Sequence, residues 1–576
     1  MAILHGRSAA PPTVSVPAPV DVVRRLWRLP LRAHVAALAA VLVALVPVIG
    51  TGASFSADEG AAIIQARSLS RGDGWIVEHP LAEVDPAGRQ YPLELSARGP
   101  DGVAPFAKHP LYALVLAALD RLGGVGAMVA LSLAGTVAAA AVAGLLARRL
   151  DPVLAVPAVW VTGIASPLAF DGYVVIAHTL GAAAAGGAAL AALVALERRR
   201  WPPAAGAAGL VALAVLLRTE ATLYALALAG VLAMVGLARR RQAGAALMPL
   251  VTAAAVGAAA VVARLGEAAW ARAIVGGPVG GTGGGPDVAV GFLAGKVRAF
   301  FLTWIRPSYG DQAFGVEIAL VMMAASLALA AFVARRYPGD GEAFRSLSLV
   351  AAVSAVTALA AGPANLVPGL LVAFPVGLAG LLVLGRSALA TTDARVLAGV
   401  AGAFTLAVLA TQYPSGGSGE WGGRYFALVL PLAVPVLLLA LERRAGDLAP
   451  ACAPIAVGAL ALCTLCLTIM AVLSIRETHG FTADLIAAVD QVAAESGHDE
   501  PVIVTAEPAL PRLAWGTFER QRWLLVQEDE VAETVSRLEA AGLGPVVVVG
   551  QGDVVPPGST VTTATRAAQW EVALLA

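Results

Sequence analysis

Charge is scarce in this chain: Asp, Glu, Lys and Arg together make up 14% of 576 residues, against 58% hydrophobic residues. A soluble domain carries about a quarter of its residues charged, so this composition excludes a soluble globular protein. Net charge is missing as well, with 39 basic and 39 acidic residues, and so is the basic footprint that nucleic-acid binding requires. Cysteine is nearly absent, and three residues cannot build a disulfide framework. Cys463 and Cys466 form a C-x-x-C, yet the pair lies inside the apolar run from Ile455 to Leu473. Zinc or redox chemistry there has no polar partners, and packing explains the pair. A phosphate-cradling loop is lacking too. The dense glycines from Gly276 to Gly285 have no following Lys-Ser/Thr and read as a flexible loop.

What is present is long apolar sequence, with a mean hydropathy of +0.78. The Ala, Gly, Arg and Val excess fits a bacterial source of high GC content. Ala9 to Val20 is proline-rich and reads as disordered, within a cytoplasmic N-terminal segment 1–32. Arg24, Arg25, Arg28 and Arg32 then precede an apolar run too long for a cleaved signal, so the chain begins with a signal anchor. A helix crosses the bilayer with about 20 apolar residues. Candidate spans fall near 33–51, 126–147, 153–169, 174–196, 204–217, 221–238, 243–263, 316–334, 345–361, 366–384, 396–412, 425–441 and 451–474. Some alanine-rich boundaries blur, which gives about 11–13 transmembrane helices. The clusters Arg148-Arg149, Arg198 to Arg200, Arg239 to Arg241, Arg335-Arg336, Arg386 with Arg395, and Arg443-Arg444 fall at every second turn. With the N-terminus inside, all of them are cytoplasmic.

That parity sends three large pieces outward: a loop over about 52–110, another over about 264–315, and everything after about 474. Long loops carry function more often than short ones, so the site should face out. The first loop opens on Ser56-Ala57-Asp58-Glu59, where the Ser-x-x-Glu spacing is a capping box for a helix lying along the membrane interface. Capping accounts for the pair, and it also fixes Asp58 rigidly enough to act as a general base. The loop ends at Lys108-His109-Pro110, either snorkelling at headgroup level or forming a cationic pair that holds a lipid phosphate or places a metal ion. Leu111 to Leu119, broken by Asp120-Arg121 and Gly123-Gly124, reads as a second interfacial helix.

Further polar residues recur at outer span ends. Asp171, Tyr173 and His178 occupy a short outer connection, where an intramembrane histidine is either structural or functional. Arg218-Thr219-Glu220 sits between two apolar runs, as a local ion pair or the lining of a polar cavity. Trp421-Gly422-Gly423-Arg424-Tyr425 opens a later span. Arg424 is an interfacial anchor or, with glycines allowing close approach, a forked phosphate ligand. After the last span, Pro501 to Thr505, Trp523 to Val526 and Pro545 to Val549 read as buried strands, with a helix over Glu530 to Ala541 closed by Gly542. This is a small extracytoplasmic α/β domain, 475–576, following a transmembrane domain, 33–474.

On Asp58-Glu59-Gly60 after the first span, Lys108-His109-Pro110-Leu111-Tyr112 at the loop's end, Arg218-Thr219-Glu220 and Trp421 to Tyr425, the chain resembles GT-C glycosyltransferases. The likeness is to the group that includes protein O-mannosyltransferases and lipid A aminoarabinose transferases. The resemblance implies a GT-C-like membrane fold in the inner or plasma membrane. It also implies a polyprenyl-phosphate-sugar donor, an outward site, inversion, and a glycan, lipid or protein acceptor of the cell envelope. Asp58 is then the base and Arg424 and Lys108 stabilise the departing phosphate. Glu59 orients substrate or binds a divalent cation such as Mg or Mn, with His109 as helper or ligand. Asp171, His178, Arg218, Glu220 and Tyr425 are expected to bind substrate. The competing readings are a transporter or flippase of lipid-linked sugars, and a membrane scaffold. Transporters place charge near the midplane within internal repeats, whereas here charge gathers at the outer rim.

Overall fold

The computed structural model describes residues 27–575 apart from 94–96, 100–101, 108, 242–245, 277–290, 308–313, 363–365, 415–418 and 553. Lys108, the stretch Ala9 to Val20 and most of Gly276 to Gly285 therefore lie outside the described residues. Among those described, ten helices are long and apolar enough to cross a bilayer, from Leu31–Ile49 to Ala453–Glu495, and the chain is a multi-pass membrane protein. Three expected spans fall short of the length of those ten. The segment 153–169 is the helix Pro152–Ile164, and 204–217 is Trp201–Leu217. The segment 366–384 divides into Leu370–Ala373 and Pro375–Val383. Proline explains two of these: Pro167 follows the first break, and Pro375 starts a new helix because its ring forbids continuation through Phe374.

Packing follows from the alanine excess. Ala182, Ala185, Ala188, Ala189 and Ala192 are buried on the helix His178–Arg198, where small side chains let backbones approach. The arginine-bearing ends converge. Arg149 donates to Glu197 at 2.7 Å and to Asp393 at 2.8 Å, and Arg239 donates to Thr392 at 3.3 Å. These contacts gather four helix ends on one side, as the sequence parity requires.

The opposite side carries the long segment between the first two spans. Its helix Ala57–Arg71 is capped by Ser56, whose hydroxyl accepts from the Glu59 N–H at 3.4 Å. This helix does not lie open along an interface as expected: Glu59 to Ala66 and Ser68 are buried. The cover is the C-terminal domain. The Arg67 guanidinium stands 4.4 Å from the Trp515 ring centroid and donates to the Trp515 carbonyl at 3.3 Å, and Arg71 pairs with Glu519. On its other side, Arg121 donates to the Ser70 carbonyl at 2.7 Å, and Ser70 donates to Asp120 at 2.5 Å. Those two anchors sit on the first arm of Pro110–Leu150, which bends at Gly123-Gly124 where the second interfacial helix was expected to end.

The short strands β1, Ala97–Gly99, and β2, Gly102–Ala104, pair antiparallel within the same loop. The C-terminal sheet contains β3, Val502–Thr505, β4, Arg522–Leu525, β5, Val546–Gln551, β6, Val561–Ala567, and β7, Trp570–Leu575. Its order is β4-β3-β5-β7-β6, with β3, β4 and β5 parallel and the last two added antiparallel. The three parallel strands and the helix Val531–Ala540 match expectation, and the closing hairpin was not anticipated. Leu81 of the segment between the first two spans enters this domain's core, and the Leu525 N–H donates to the Gln90 carbonyl at 2.9 Å. The final span passes Ser474 without a break and continues to Glu495, so one helix of 43 residues joins membrane bundle and sheet.

Candidate active site

Asp58 and Glu59 are adjacent in the first turn of one helix and therefore point to different surroundings. Glu59 is only 2% exposed. Its oxygens accept from the N–H groups of Phe55 and Val175, each at 2.7 Å, so it ties the helix start to the Asp171–His178 connection. Burial raises its pKa to about 7; the N–H groups of Val175, Phe55 and Ser56 oppose the rise and the charge of Glu420 adds to it. Asp58 keeps 27% of its side chain exposed. Its Oδ2 lies 3.1 Å from Arg424 Nη1, and its Oδ1 lies 3.9 Å from Arg512 Nη1 of the C-terminal domain.

Arg424 extends the contact inward. The same Nη1 donates to Glu420 Oε1 at 3.3 Å, and Glu420 Oε2 lies 3.1 Å from His178 Nδ1. His178 Nδ1 in turn lies 3.8 Å from Asp171 Oδ1. Two glycines make this possible. Gly422 and Gly423 have φ of +71° and +72°, and a Cβ on them would fall 2.3 Å from Pro167 and 2.9 Å from the Thr303 carbonyl. Only glycine fits that turn, which brings Glu420 and Arg424 to the same cluster. Trp421 between them stacks on Phe170 at 6.0 Å, and Phe170 meets Phe55 edge-on at 4.8 Å. The aromatic block thus fixes Asp171, Glu420 and the start of the Asp58 helix relative to one another.

Arg218 pairs with Glu220 and packs its side chain beside Gly181, one turn beyond His178. Burial pushes Glu220 up, but Arg218 and His178 outweigh it and hold the carboxyl at about 2. Glu420 behaves alike: burial raises it, while His178, Arg424 and Arg218 bring it to about 2. Asp171 is shifted upward by burial and by Glu420, against His178 and Arg218. The result is a buried network of charges in which each ionised carboxylate has a cation near it.

Of the residues singled out in sequence, Asp58, Asp171, His178, Arg218, Glu220 and Arg424 converge. Tyr425 lies beside them, with its ring 5.4 Å from the Arg424 guanidinium. His109 takes another partner: its Nδ1 lies 2.8 Å from Glu267 Oε1, both side chains are buried, and Glu267 also pairs with Arg264. Glu59 and His109, the two residues offered as cation ligands, are thus engaged with different groups. Two members of the cluster escaped sequence reading. Glu420 directly precedes the Trp421 to Tyr425 motif, and Arg512 belongs to a distant domain.

No family model matches the chain, and no curated protein matches it. Among solved structures, the chain is similar to ArnT from Cupriavidus metallidurans in the apo state, at 13% identity and a TM-score of 0.51. That likeness covers 94% of this chain and 98% of that one. The crystal structure of ArnT from the same organism bound to undecaprenyl phosphate gives 14% identity and a TM-score of 0.48, covering 94% and 97%. The chain has an ArnT-like fold.

Proposed function

We propose that the protein is an extracytoplasmic glycosyltransferase moving a sugar from a polyprenyl-phosphate donor to an envelope glycan, lipid or protein acceptor, with inversion. The observation that carries this reading is the sharing of Arg424 between a partly exposed carboxylate, Asp58, and a buried one, Glu420. The fold likeness supports the reading by analogy only. The arginine-rich helix ends face the cytoplasm in this reading, and the cluster with the C-terminal domain faces out.

The chemistry needs a base, a leaving-group stabiliser and a rigid frame. The acceptor hydroxyl gives its proton to Asp58 as its oxygen attacks the anomeric carbon on the face opposite the phosphate. The anomeric C–O bond breaks, and its electron pair stays on the departing polyprenyl phosphate. Arg424 meets the new charge there, because its planar donors match phosphate oxygens and a desolvated site strengthens the interaction. Moving Arg424 toward phosphate also releases Asp58 to accept the proton. Arg218 and Arg512 add positive potential, and Lys108 is assigned to the donor phosphate by the family resemblance. Glu59, with both oxygens on backbone N–H groups, holds the frame.

A structure with a non-transferable polyprenyl-phosphate-sugar analogue tests this. The phosphate should lie within hydrogen-bond distance of Arg424 and the anomeric carbon should face Asp58. A phosphate bound away from both residues contradicts the proposal.

A further inference from the structure

The innermost part of the cluster is not used by the transfer step, and its geometry differs from that of an ordinary hydrogen-bonded core. Asp171, His178 and Glu420 each offer one donor atom, and these atoms lie within 4.8 Å of one another. All three side chains are at most 3% exposed. His178 Nδ1 is 3.1 Å from Glu420 Oε2 and 3.8 Å from Asp171 Oδ1, yet neither approach is aligned as a hydrogen bond. Both ring nitrogens of His178 and Oδ2 of Asp171 are buried without a hydrogen bond to any described residue. Buried polar atoms are seldom left so, because each one keeps its desolvation cost. Donors that stand close together but do not point at one another are arranged to point at a shared third atom.

We infer that Asp171, His178 and Glu420 form a binding site for a divalent transition-metal cation, of the zinc or manganese class. One imidazole nitrogen and two carboxylate oxygens form a donor set suited to those ions and poorly suited to soft, thiolate-seeking ones. A metal about 2.1 Å from each donor sets donor–donor separations of roughly 3.0–4.2 Å, depending on geometry. The separations of 3.1 and 3.8 Å fall within that range. Charge favours the ion. With a neutral imidazole, the four carboxylates Asp58, Asp171, Glu220 and Glu420 face only three guanidinium groups among the described residues, Arg218, Arg424 and Arg512. Three protein ligands leave further coordination positions open, beside Arg424, where an anionic oxygen can bind. The site stands on its own geometry and does not depend on the transferase reading.

The test uses the full-length protein in detergent, stripped with a chelator, then given Mn(II) or Zn(II) alone. Retained metal is counted by mass spectrometry of the desalted protein, and Mn(II) is followed by its electron paramagnetic resonance spectrum. About one equivalent should be retained per chain, with Mn(II) showing coupling to a histidine nitrogen. His178→Ala, Asp171→Asn and Glu420→Gln should each weaken binding roughly tenfold or more, while His109→Ala should bind as the wild type does. Each variant is compared only if it elutes as a single species at the wild-type volume. If all three failed that criterion, His178→Gln and the nitrogen coupling of the wild-type protein carry the test. No stoichiometric metal in the wild type, a Mn(II) spectrum without nitrogen coupling, or equal retention by the ligand variants overturns the inference. So does loss of binding in His109→Ala alone.

Discussion

Substituting Gly60 by alanine tests whether the C-terminal domain is part of the site or merely attached to it. Gly60 lies in the first turns of the Asp58 helix, directly beneath the turn Leu510–Leu513. A Cβ there would stand 1.9 Å from the Arg512 carbonyl oxygen and 2.6 Å from its carbon. Ordinary carbon–oxygen contact is roughly 3.3 Å, so the two backbones must part by about 1.4 Å. No rotamer change relieves a clash with backbone. Forced overpacking costs about 1–3 kcal/mol, here toward the upper end because backbone meets backbone, and replacing a helical glycine returns up to about 1 kcal/mol, which leaves a net loss of about 2 kcal/mol. The parting also lengthens the 3.9 Å approach of Arg512 to Asp58. Gly402 is the control: it is helical, and a Cβ on it would meet nothing within 4 Å. Gly60→Ala should therefore lower the melting temperature in detergent by about 1–2 degrees and reduce sugar transfer, while Gly402→Ala should do neither. A Gly60→Ala protein with wild-type melting and transfer refutes the seating of the domain on the base helix.

Other outcomes follow from the same contacts. Arg424→Ala leaves Glu420 buried without its arginine and removes the proposed phosphate ligand, so kcat/KM for transfer should fall about 10²-fold or more. Arg424→Lys should recover only part of this, since a lysine lacks the planar fork; full recovery in steady-state kinetics would remove forked recognition from the account. Glu59 supplies a pH test. Its folded-state pKa of about 7 exceeds the reference value of 4.5, so the folded protein binds this proton more tightly than the unfolded chain. Its contribution to stability is fully present below pH 4.5 and is lost as pH rises through about 7, a change of about 3 kcal/mol. Melting temperature should fall across that window in the wild type and less steeply in Glu59→Gln. Parallel slopes for the two proteins would contradict the assignment.

Much of this was legible in the chain. Hydropathy located the ten long helices, because long apolar runs are local signals. Asp171, His178, Arg218 and Glu220 stood out because charge within apolar sequence is costly unless something uses it. The covering of the Asp58 helix was not legible. Its alanine and isoleucine body suits a lipid interface as well as a protein one, and its cover at Trp515 lies 448 residues away. Glu59 looked like the second half of a capping box, but its short hydrogen bonds run to the N–H groups of Phe55 and Val175. Glu420 was hidden at the edge of a motif read as beginning at Trp421. The β6–β7 hairpin was missed because β6, with its threonines and exposed positions, lacks the apolar run that marked β3 and β5.

The proposed mechanism turns on Asp58 taking the acceptor's proton. Asp58→Asn keeps the size of the side chain and one accepting oxygen while removing the base. The direct measurement is transfer of labelled sugar from a polyprenyl-phosphate donor in membranes from cells making either protein, with donor binding measured in parallel. Asp58→Asn should bind donor and lose transfer by about 10²-fold or more. Transfer at the wild-type rate by this variant would contradict it.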